Sequence, residues 1–320
     1  MQSKKVLFFC FFLLISANAV SQKAPFEIGI VTDNDLYTST KNDQYYTNGL
    51  EIFYRYLSSK NKPNVLKRIN EIKAGQYMYS PRFIYVDEEQ MFDRPFAGYL
   101  FGQFGRTTFY SNQSVFKKQL QIGVLGPNSF ADKIQKGTHR LFNYTAFEEW
   151  KYQIHNAFGL QFNVLFAKAF SGNKQRDRVD FHWQSEAKLG TIFTSFSTGF
   201  VTRIGIKKLV PLSESNFYGA SLTTEKEGVK EEFYFYMAPY FNYQMYDATI
   251  QGSLFSNSSP VTFDVIPFRF NAEAGLRYRK KNLNLSYAFV YRGKEVKFYR
   301  NIGYFYGSIG ISYIFNNSSH

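Results

Sequence analysis

The sequence predicts an all-β fold, a transmembrane antiparallel β-barrel of about 12 strands with a short helix in an extracellular loop. Three observations predict it: an N-terminal export signal with no later apolar helix, an aromatic but polar composition, and long segments of alternating apolar and polar residues. Aromatic residues make up 20% of the chain, yet the mean hydropathy is −0.32. A barrel reconciles these values, because it turns an apolar band and aromatic girdles to lipid around a polar interior.

Residues 1–19 are predicted to be a secretory signal peptide, which leaves 20–320 as one barrel domain. A basic start is followed by an apolar core over 6–15 and by the small-residue cleavage pattern Ala17-Asn18-Ala19. No later stretch offers the roughly 18 uncharged apolar residues that a membrane-spanning helix needs. We therefore expect a cleaved signal peptide and insertion into a Gram-negative outer membrane.

Cysteine content and net charge limit the chemistry and the partners that the protein can have. The only cysteine, Cys10, lies inside the signal peptide, so the mature chain has neither a disulfide nor a thiol nucleophile. The full chain has 38 basic and 25 acidic residues; removing Lys4 and Lys5 with the signal leaves a net charge of +11. A basic exported protein meets anionic polymers or lipid head groups, or keeps its charge for solubility. We expect no nucleic-acid partner.

Alternating segments predict the strands in order, since successive side chains of a strand point to opposite faces. The first two strands show this best: apolar residues follow Phe26 at every second position, whereas Glu27 begins the opposite, polar row. The predicted strands are 26–33, 47–57, 67–79, 97–108, 115–125, 151–169, 178–191, 194–206, 232–250, 262–278, 283–296 and 302–315.

Strand parity assigns the connections to two ends of the barrel. With the N-terminus in the periplasm, every connection after an odd strand lies on the cell surface. The polar clusters 33–47, 80–96 and 127–150 are therefore expected to share the outer rim. The segment 207–231 becomes a long periplasmic connection, which indicates either a strand count wrong by one or a small structure of its own.

A short helix is predicted over 130–141, with Ser129 as its cap. Gln135 and His139 are four residues apart, so their side chains face the same way. His139 has the side-chain chemistry of a general base for water, because the unperturbed pKa of histidine lies near neutral pH. The structural alternative is a helical histidine that only packs.

Asn34, Asp35 and the Thr47 hydroxyl are hard oxygen donors that suit calcium, which polarises an ester carbonyl. Adjacent Asn34 and Asp35 cannot both face the lumen in a regular pleat, so the strand is expected to break or bulge between them. The alternative for Asp33-Asn34-Asp35 is an ordinary turn. His155 and His182 have no partner at useful spacing and are interpreted as interior polar residues.

These residues resemble the outer-membrane lipid A 3′-O-deacylases. Seven motifs occur in the family's order over 26–165: Asn34-Asp35, Asp43-Gln-Tyr-Tyr-Thr-Asn-Gly49, Gln76-Tyr-Met-Tyr-Ser-Pro81, Asp93-Arg-Pro-Phe-Ala-Gly98, Gly123-Val-Leu-Gly-Pro127, Gln135-x3-His139 and Trp150-x2-Gln153. The resemblance implies a twelve-stranded barrel that hydrolyses the 3′-acyloxyacyl ester of lipid A with calcium at the outer-leaflet rim.

The resemblance also implies site roles. His139 would activate water, Asn34, Asp35, Thr47 and Gln135 match other catalytic positions, and Asn34 and Asp35 would hold the metal.

Two positions depart from the family. A family lysine is missing from the loop after the third strand, which leaves Arg82, Arg94 and Arg140 as cationic candidates for substrate phosphates. A family tyrosine aligns with Phe147, and Tyr144 is the nearby substrate-binding candidate.

The leading hypothesis is therefore a calcium-dependent carboxylic ester hydrolase whose partner is lipopolysaccharide, acting as a monomer. One alternative is an outer-membrane phospholipase, for which no Ser-His spacing singles out a nucleophile. The other is a structural or binding barrel without enzymatic activity, since a twelve-strand barrel can be filled by side chains.

Overall fold

Twelve antiparallel strands close into one barrel in the computed structural model, which describes residues 24–38, 45–59, 63–86, 89–141, 149–170, 178–223 and 231–316. The predicted fold class is confirmed. The predicted signal peptide, 1–19, lies outside the described residues. The barrel strands are β1 (Phe26–Asn34), β2 (Tyr45–Leu57), β3 (Val65–Ser80), β6 (Ala97–Tyr110), β7 (Ser114–Leu125), β8 (Ala157–Ala169), β9 (Val179–Gly190), β10 (Phe193–Gly205), β11 (Glu231–Asp247), β12 (Phe268–Lys280), β13 (Leu283–Arg292) and β14 (Tyr304–Phe315).

Each predicted strand corresponds to one barrel strand, but several ends differ. A 3-10 turn over Glu149–Tyr152 delays the start of β8. The strand β11 stops at Asp247, whose carboxylate accepts a hydrogen bond from Thr249 N at 2.9 Å and caps a one-turn helix, Ala248–Gln251. A separate hairpin, β4 (Phe83–Val86) with β5 (Glu89–Phe92), was not predicted.

One longer helix, α1 (Ala131–Leu141), lies between β7 and β8, as predicted. The predicted cap is wrong: Ser129 ends a 3-10 turn, its Oγ makes no hydrogen bond to the described residues, and Phe130 precedes the helix. Among the described residues, no helix is long and apolar enough to cross a membrane.

The two faces of the wall differ as the alternation predicts. Outward side chains such as Ile30, Ile52 and Ile72 are exposed and apolar. Inward side chains are polar and paired: Arg55 Nε lies 2.6 Å from Glu71 Oε2. The apolar face therefore fits lipid, and the lumen is a buried polar interior.

The antiparallel order places the ends of odd strands at one end of the barrel. We call the end where β1 finishes the outer end, and the end where β1 begins and β14 finishes the inner end. The connections after β1, β3 and β7 share the outer end, as predicted.

The long connection after β10 lies at the inner end and folds into the lumen. Its described part, 206–223, contains a 3-10 turn at Asn216–Tyr218. Gly219 has φ +75°, and a Cβ atom there would lie 3.0 Å from Arg55 Cζ. Ala220 and Leu222 are fully buried among inward-facing wall residues. We call 206–223 the plug. Of the two predicted explanations for this long connection, a wrong strand count or a small structure of its own, the second is confirmed.

Candidate functional site

The strand β1 ends where the candidate site begins. Asn34 is the last strand residue, with extended backbone at φ −157° and ψ 142°, and its Oδ1 accepts a hydrogen bond from Leu36 N at 2.8 Å. This bond caps a 3-10 turn over Asp35–Tyr37, in which Asp35 is buried. The predicted break between Asn34 and Asp35 is thus present, and it is produced by the amide side chain itself.

The start of β2 lies beside this turn. Its pairing with β3 shifts between Tyr46 and Asn48, so Thr47 is the extra residue of a bulge. The side chain of Thr47 lies outside the described residues. Asn48 pairs with Asn34 on one side and with Met78 on the other.

Asn34, Asn48 and Met78 belong to the outward face of the wall. On β3, exposed Ile72 is followed at every second position by Gln76 and Met78, which are outward but buried. The register continues the row to Gly98 on β6. Strands lie about 4.8 Å apart, so Asn34 and Met78 are separated by roughly 10 Å.

The outward row is buried because α1 begins on top of it. Gly98 makes this approach possible: a Cβ atom there would lie 2.2 Å from Ser129 Oγ and 2.4 Å from Ala131 Cβ. Gln76 Nε2 also donates to the Ser129 carbonyl oxygen at 2.5 Å. Met78, Phe96, Ala131 and Trp150 form one buried cluster.

Trp150 fixes the side chain of Gln135 on α1. Its indole Nε1 donates to Gln135 Oε1 at 2.5 Å, and both residues are buried. Because an indole N–H only donates, the amide oxygen must face Trp150, and the amide NH2 points away from it. Helical spacing directs Gln135 and His139 to one side of α1; the side chain of His139 lies outside the described residues.

The predicted substrate-binding residues lie apart from one another. Arg82 is exposed, and its backbone N–H donates to Asp93 Oδ1 at 2.9 Å. Burial raises the pKa of the Asp93 carboxyl above its ordinary value, although hydrogen bonds from Tyr45 Oη and the Arg82 N–H oppose the shift. Tyr144 lies outside the described residues.

Arg94 takes a different position from Arg82. Its side chain is 1% exposed, and its guanidinium carbon lies 4.3 Å from the ring centre of Tyr79. Its Nη2 donates to Thr249 Oγ1 at 2.9 Å and lies 3.6 Å from Glu295 Oε2. Arg94 therefore belongs to the mouth of the lumen, whereas Asn34 and Gln135 belong to the outer wall.

The lumen beneath this mouth contains a polar cavity of about 200 Å³. Asp33, whose Oδ2 accepts from Tyr46 Oη at 2.8 Å, lines it. Adjacent Asp33 and Asn34 thus serve opposite faces of the wall. The interpretation as an interior residue is wrong for His155, which is exposed in the connection before β8, with its Nδ1 3.1 Å from Ser258 Oγ. It is confirmed for His182, which is buried, with Nε2 3.2 Å from Asp180 Oδ1.

The donor chemistry near Asn34 fits a calcium ion, because an amide and a carboxylate oxygen are hard ligands. In the described ranges no three or more His, Cys, Asp or Glu side chains form a group that could hold a metal ion. A metal at this turn would therefore need carbonyl or water oxygens beside Asn34 and Asp35.

Sequence reasoning did not identify Trp150 as the partner of Gln135 or Gly98 as the seat of α1. Both residues lie inside motifs identified in the sequence, but the sequence does not show which residues they contact.

Comparison with known proteins identifies relatives of this fold. Among solved structures, LpxR from Salmonella typhimurium matches with a TM-score of 0.71 at 18% identity, over 90% of this chain and 100% of that chain. The beta domain of the Bordetella autotransporter BrkA matches with a TM-score of 0.48 at 10% identity, over 91% and 98% of the two chains. At 18% identity, the likeness to the Salmonella typhimurium structure shows the fold alone.

A search of curated protein sequences gave no match. The family model described as outer membrane protein LpxR matches residues 6–315. Since this match covers nearly the whole chain, the chain belongs to the family of the outer membrane protein LpxR.

Proposed function

We propose that this outer-membrane protein is a lipid A 3′-O-deacylase, which hydrolyses the 3′-acyloxyacyl ester of lipopolysaccharide at the outer-leaflet rim. The observation that carries the proposal is the side of the wall on which the candidate residues lie. Asn34 belongs to the outward row, and Gln135 belongs to the helix that covers that row. A site on the lipid side of a barrel wall suits a substrate that stays in the membrane.

The surface below the outward row supports an acylated substrate. Ile30, Leu50, Ile52 and Ile72 are exposed and apolar on neighbouring strands β1, β2 and β3. An acyl chain lying on this surface would keep its contact with apolar groups while its ester reached the polar row. The proposal thus needs no extraction of the lipid into water.

In the mechanism we propose, His139 takes a proton from a water molecule whose oxygen attacks the ester carbonyl carbon. The Gln135 NH2 group, turned away from Trp150, donates to the carbonyl oxygen as negative charge develops there. When the bond between the carbonyl carbon and the sugar oxygen breaks, His139 returns the proton to that departing oxygen, which becomes a hydroxyl. The products are a free fatty acid and lipid A with that hydroxyl exposed.

Asn34 and Asp35 are the residues that would hold calcium, with the Thr47 hydroxyl as a further oxygen donor. Bound calcium supplies polarisation of an ester carbonyl. Asn34 also keeps the turn closed through its bond to Leu36 N, so the same side chain shapes the turn that carries Asp35.

Recognition of the phosphates is assigned to Arg82, which is exposed, with Arg140 as a further exposed cation on α1. Arginine holds a phosphate through paired hydrogen bonds, where lysine offers a point charge. The full proposal also includes a cleaved signal peptide and a monomeric enzyme.

Mass spectrometry of lipid A tests the proposal. Cells expressing the chain should contain lipid A lighter by the 3′-linked acyl group, whereas cells expressing the His139→Ala variant should not. Loss of fatty acid from glycerophospholipid with unchanged lipid A would instead identify a phospholipase. Unchanged spectra for both lipids, with the barrel folded in the outer membrane, would identify a barrel without this activity.

A further inference from the structure

Apart from Lys280, the outward-facing cations of the described barrel strands lie in one sector of the wall. Most outward-facing residues of the described barrel strands are uncharged, and the charged ones at strand ends are Glu231 and Lys280. The remaining cations all lie on four adjacent strands, β3, β6, β7 and β8, toward the inner end. This basic patch consists of Arg68, Arg106, Lys118 and Lys168.

Alternation fixes the outward direction of the patch. Arg106 lies two residues from exposed Phe104, and Lys118 lies two residues from exposed Leu120. The neighbours at odd positions face the lumen, where Lys117 Nζ lies 3.7 Å from Glu71 Oε1.

The register places two of these cations side by side. Arg106 is paired directly with Lys118, and Asn70 is paired with Arg106 on its other side. Arg106 Nε donates to Asn70 Oδ1 at 2.8 Å. In the part of the chain that the structure describes, the side chain of Lys118 makes no hydrogen bond or ion pair. Like charges directly opposite each other in a sheet are destabilising, so this pair requires a negative partner.

The patch lies within apolar surface. Phe104, Leu120 and Phe162 are exposed on its outer-end side, and exposed Phe166 lies on β8 between the levels of Lys118 and Lys168. Cations on the lipid face of a barrel destabilise it in a depth-dependent way. Long basic side chains avoid this by placing their charged ends at the phosphate level of the membrane. Lys168 does extend toward the inner end, where its Nζ donates to the Asn112 carbonyl oxygen at 2.6 Å.

We propose that the basic patch binds the phosphodiester head group of a glycerophospholipid in the periplasmic leaflet. Arg106 would hold two phosphate oxygens through its guanidinium fork, and Lys118 would add a point charge. A second copy of this chain is a poorer partner. Along the described barrel strands the outward-facing acid is Glu231, which lies 2.8 Å from Lys207.

Native mass spectrometry of the detergent-released barrel tests the patch, with dimyristoylphosphatidylglycerol as the probe. The variant Arg106→Gln/Lys118→Gln should retain at least about tenfold less of this lipid than the wild type, since two charges near the head group are lost. The matched control is Lys280→Gln/Lys281→Gln, which removes two exposed cations at the same end and should bind as the wild type does. Dimyristoylglycerol, which lacks phosphate, should bind equally weakly to all three proteins.

Equal retention by the wild type and Arg106→Gln/Lys118→Gln would overturn the proposal, and so would an equal loss in the control variant. Heat-modifiability on gels checks that each variant folds. Should the double variant not fold, Lys118→Gln alone decides by the same comparison, because the Lys118 side chain makes no hydrogen bond or ion pair to the described residues that folding would lose. The charge-preserving variant Arg106→Lys/Lys118→Arg should retain the lipid.

Discussion

At Asn34, side chains of one strand reach both the lumen and the outer wall of the barrel. Asp33 before it lines the lumen, and Asn34 itself belongs to the outward row. The side chain of Asn34 closes the turn through Leu36 N. The sequence predicts this break because Asn34 and Asp35 cannot both face the lumen in a regular strand. The break is present, but Asn34 lies on the outward row and not in the lumen. The chemistry proposed for Asp35 depends on that turn.

The first prediction concerns the proposed base. His139→Ala should lower deacylation by about 10²- to 10⁴-fold, the usual effect of losing a general base. His155→Ala is the control, because His155 is an exposed histidine of the same connection and contacts Ser258. Lipid A mass spectra of both variants, with folding checked by heat-modifiability, measure the difference. Near-wild-type product from His139→Ala would remove this residue from the mechanism.

The second prediction concerns the metal. Chelation should stop deacylation, and calcium should restore it, because Asn34 and Asp35 offer the oxygen ligands that hard cations prefer. Asp35→Asn should raise the calcium concentration needed for half-maximal rate, since a charged ligand is lost. Activity assays on purified lipid A across a calcium series measure both effects. Full activity in excess chelator would eliminate calcium from the reaction.

The third prediction concerns the orientation of Gln135. Trp150→Phe keeps the ring in its cluster but removes the N–H that donates to Gln135 Oε1. A single hydrogen bond contributes about 1 kcal/mol, so kcat should fall roughly three- to tenfold, with little change in KM.

Trp183→Phe is the matched control for Trp150→Phe. It loses the same kind of bond, to Thr198 Oγ1 at 2.9 Å, on the outward face of β9, and should keep its activity. Equal rates for both tryptophan variants would show that Gln135 needs no such support.

Some residue contacts could not be predicted from the sequence. The bond from Trp150 to Gln135 crosses a connection whose path no local pattern specifies. Arg94 was predicted as a surface cation, yet it stacks on Tyr79 over the lumen. Polarity places a charged residue in water by default, whereas here Glu295 and Thr249 supply buried partners.

At the scale of elements, the strands of the wall could be predicted because apolar and polar residues alternate as the side chains face lipid and lumen in turn. Each strand with one lipid-facing and one lumen-facing side shows that period, and all twelve were found. The hairpin β4–β5 was missed, since it belongs to the outer-end connection and not to the wall. The early end of β11 was missed because the cap made by Asp247 is a tertiary detail that a long apolar run conceals.

The fourth prediction concerns how α1 sits on the wall. Gly98→Ala adds a methyl group where Ser129 Oγ would lie 2.2 Å away, so the helix must move outward. A displacement near 1 Å at a reacting centre costs about 10²-fold in rate, and we expect a loss of that order. Lipid A deacylation by purified protein measures it.

Gly102→Ala is the control for Gly98→Ala. Gly102 lies on the same strand and the same face, and a Cβ atom there would meet nothing within 4 Å. Unchanged activity in Gly98→Ala would show that the seat of α1 tolerates movement.

At the scale of the whole molecule, the lumen is filled by the protein's own chain. Arg203 Nη2 donates to the Val210 carbonyl oxygen at 2.9 Å, and Arg279 Nη1 donates to that of Glu214 at 3.1 Å. The plug thus supplies acceptors to buried cations of the wall. Its position could be predicted from parity, but its fold could not, because long-range contacts with β3, β9 and β12 define it.

The fifth prediction removes the plug. Replacing 209–222 with a short Gly-Ser linker leaves Arg279 without its two acceptors, the carbonyl oxygens of Glu214 and Ser221, whereas Arg203 loses the Val210 carbonyl oxygen but keeps its ion pair with Asp180. Since an uncompensated buried charge costs about 3–5 kcal/mol, the midpoint of heat-modifiability should fall by about 10 °C. Lys207→Gln, which breaks an exposed ion pair outside the replaced segment 209–222, should leave the midpoint unchanged. An unaltered midpoint in the linker variant would show that the plug contributes nothing to stability.

The position of α1 against the outward row determines how lipid A reaches the site. A site built into the lipid side of the wall receives its substrate by lateral diffusion in two dimensions. Its rate therefore follows the surface density of lipid A and the order of the surrounding acyl chains, and dilution of the cells in buffer leaves it unchanged. Divalent ions that bridge neighbouring lipopolysaccharide molecules would slow this lateral diffusion, even though a divalent ion is also proposed to bind the turn at Asn34 and Asp35.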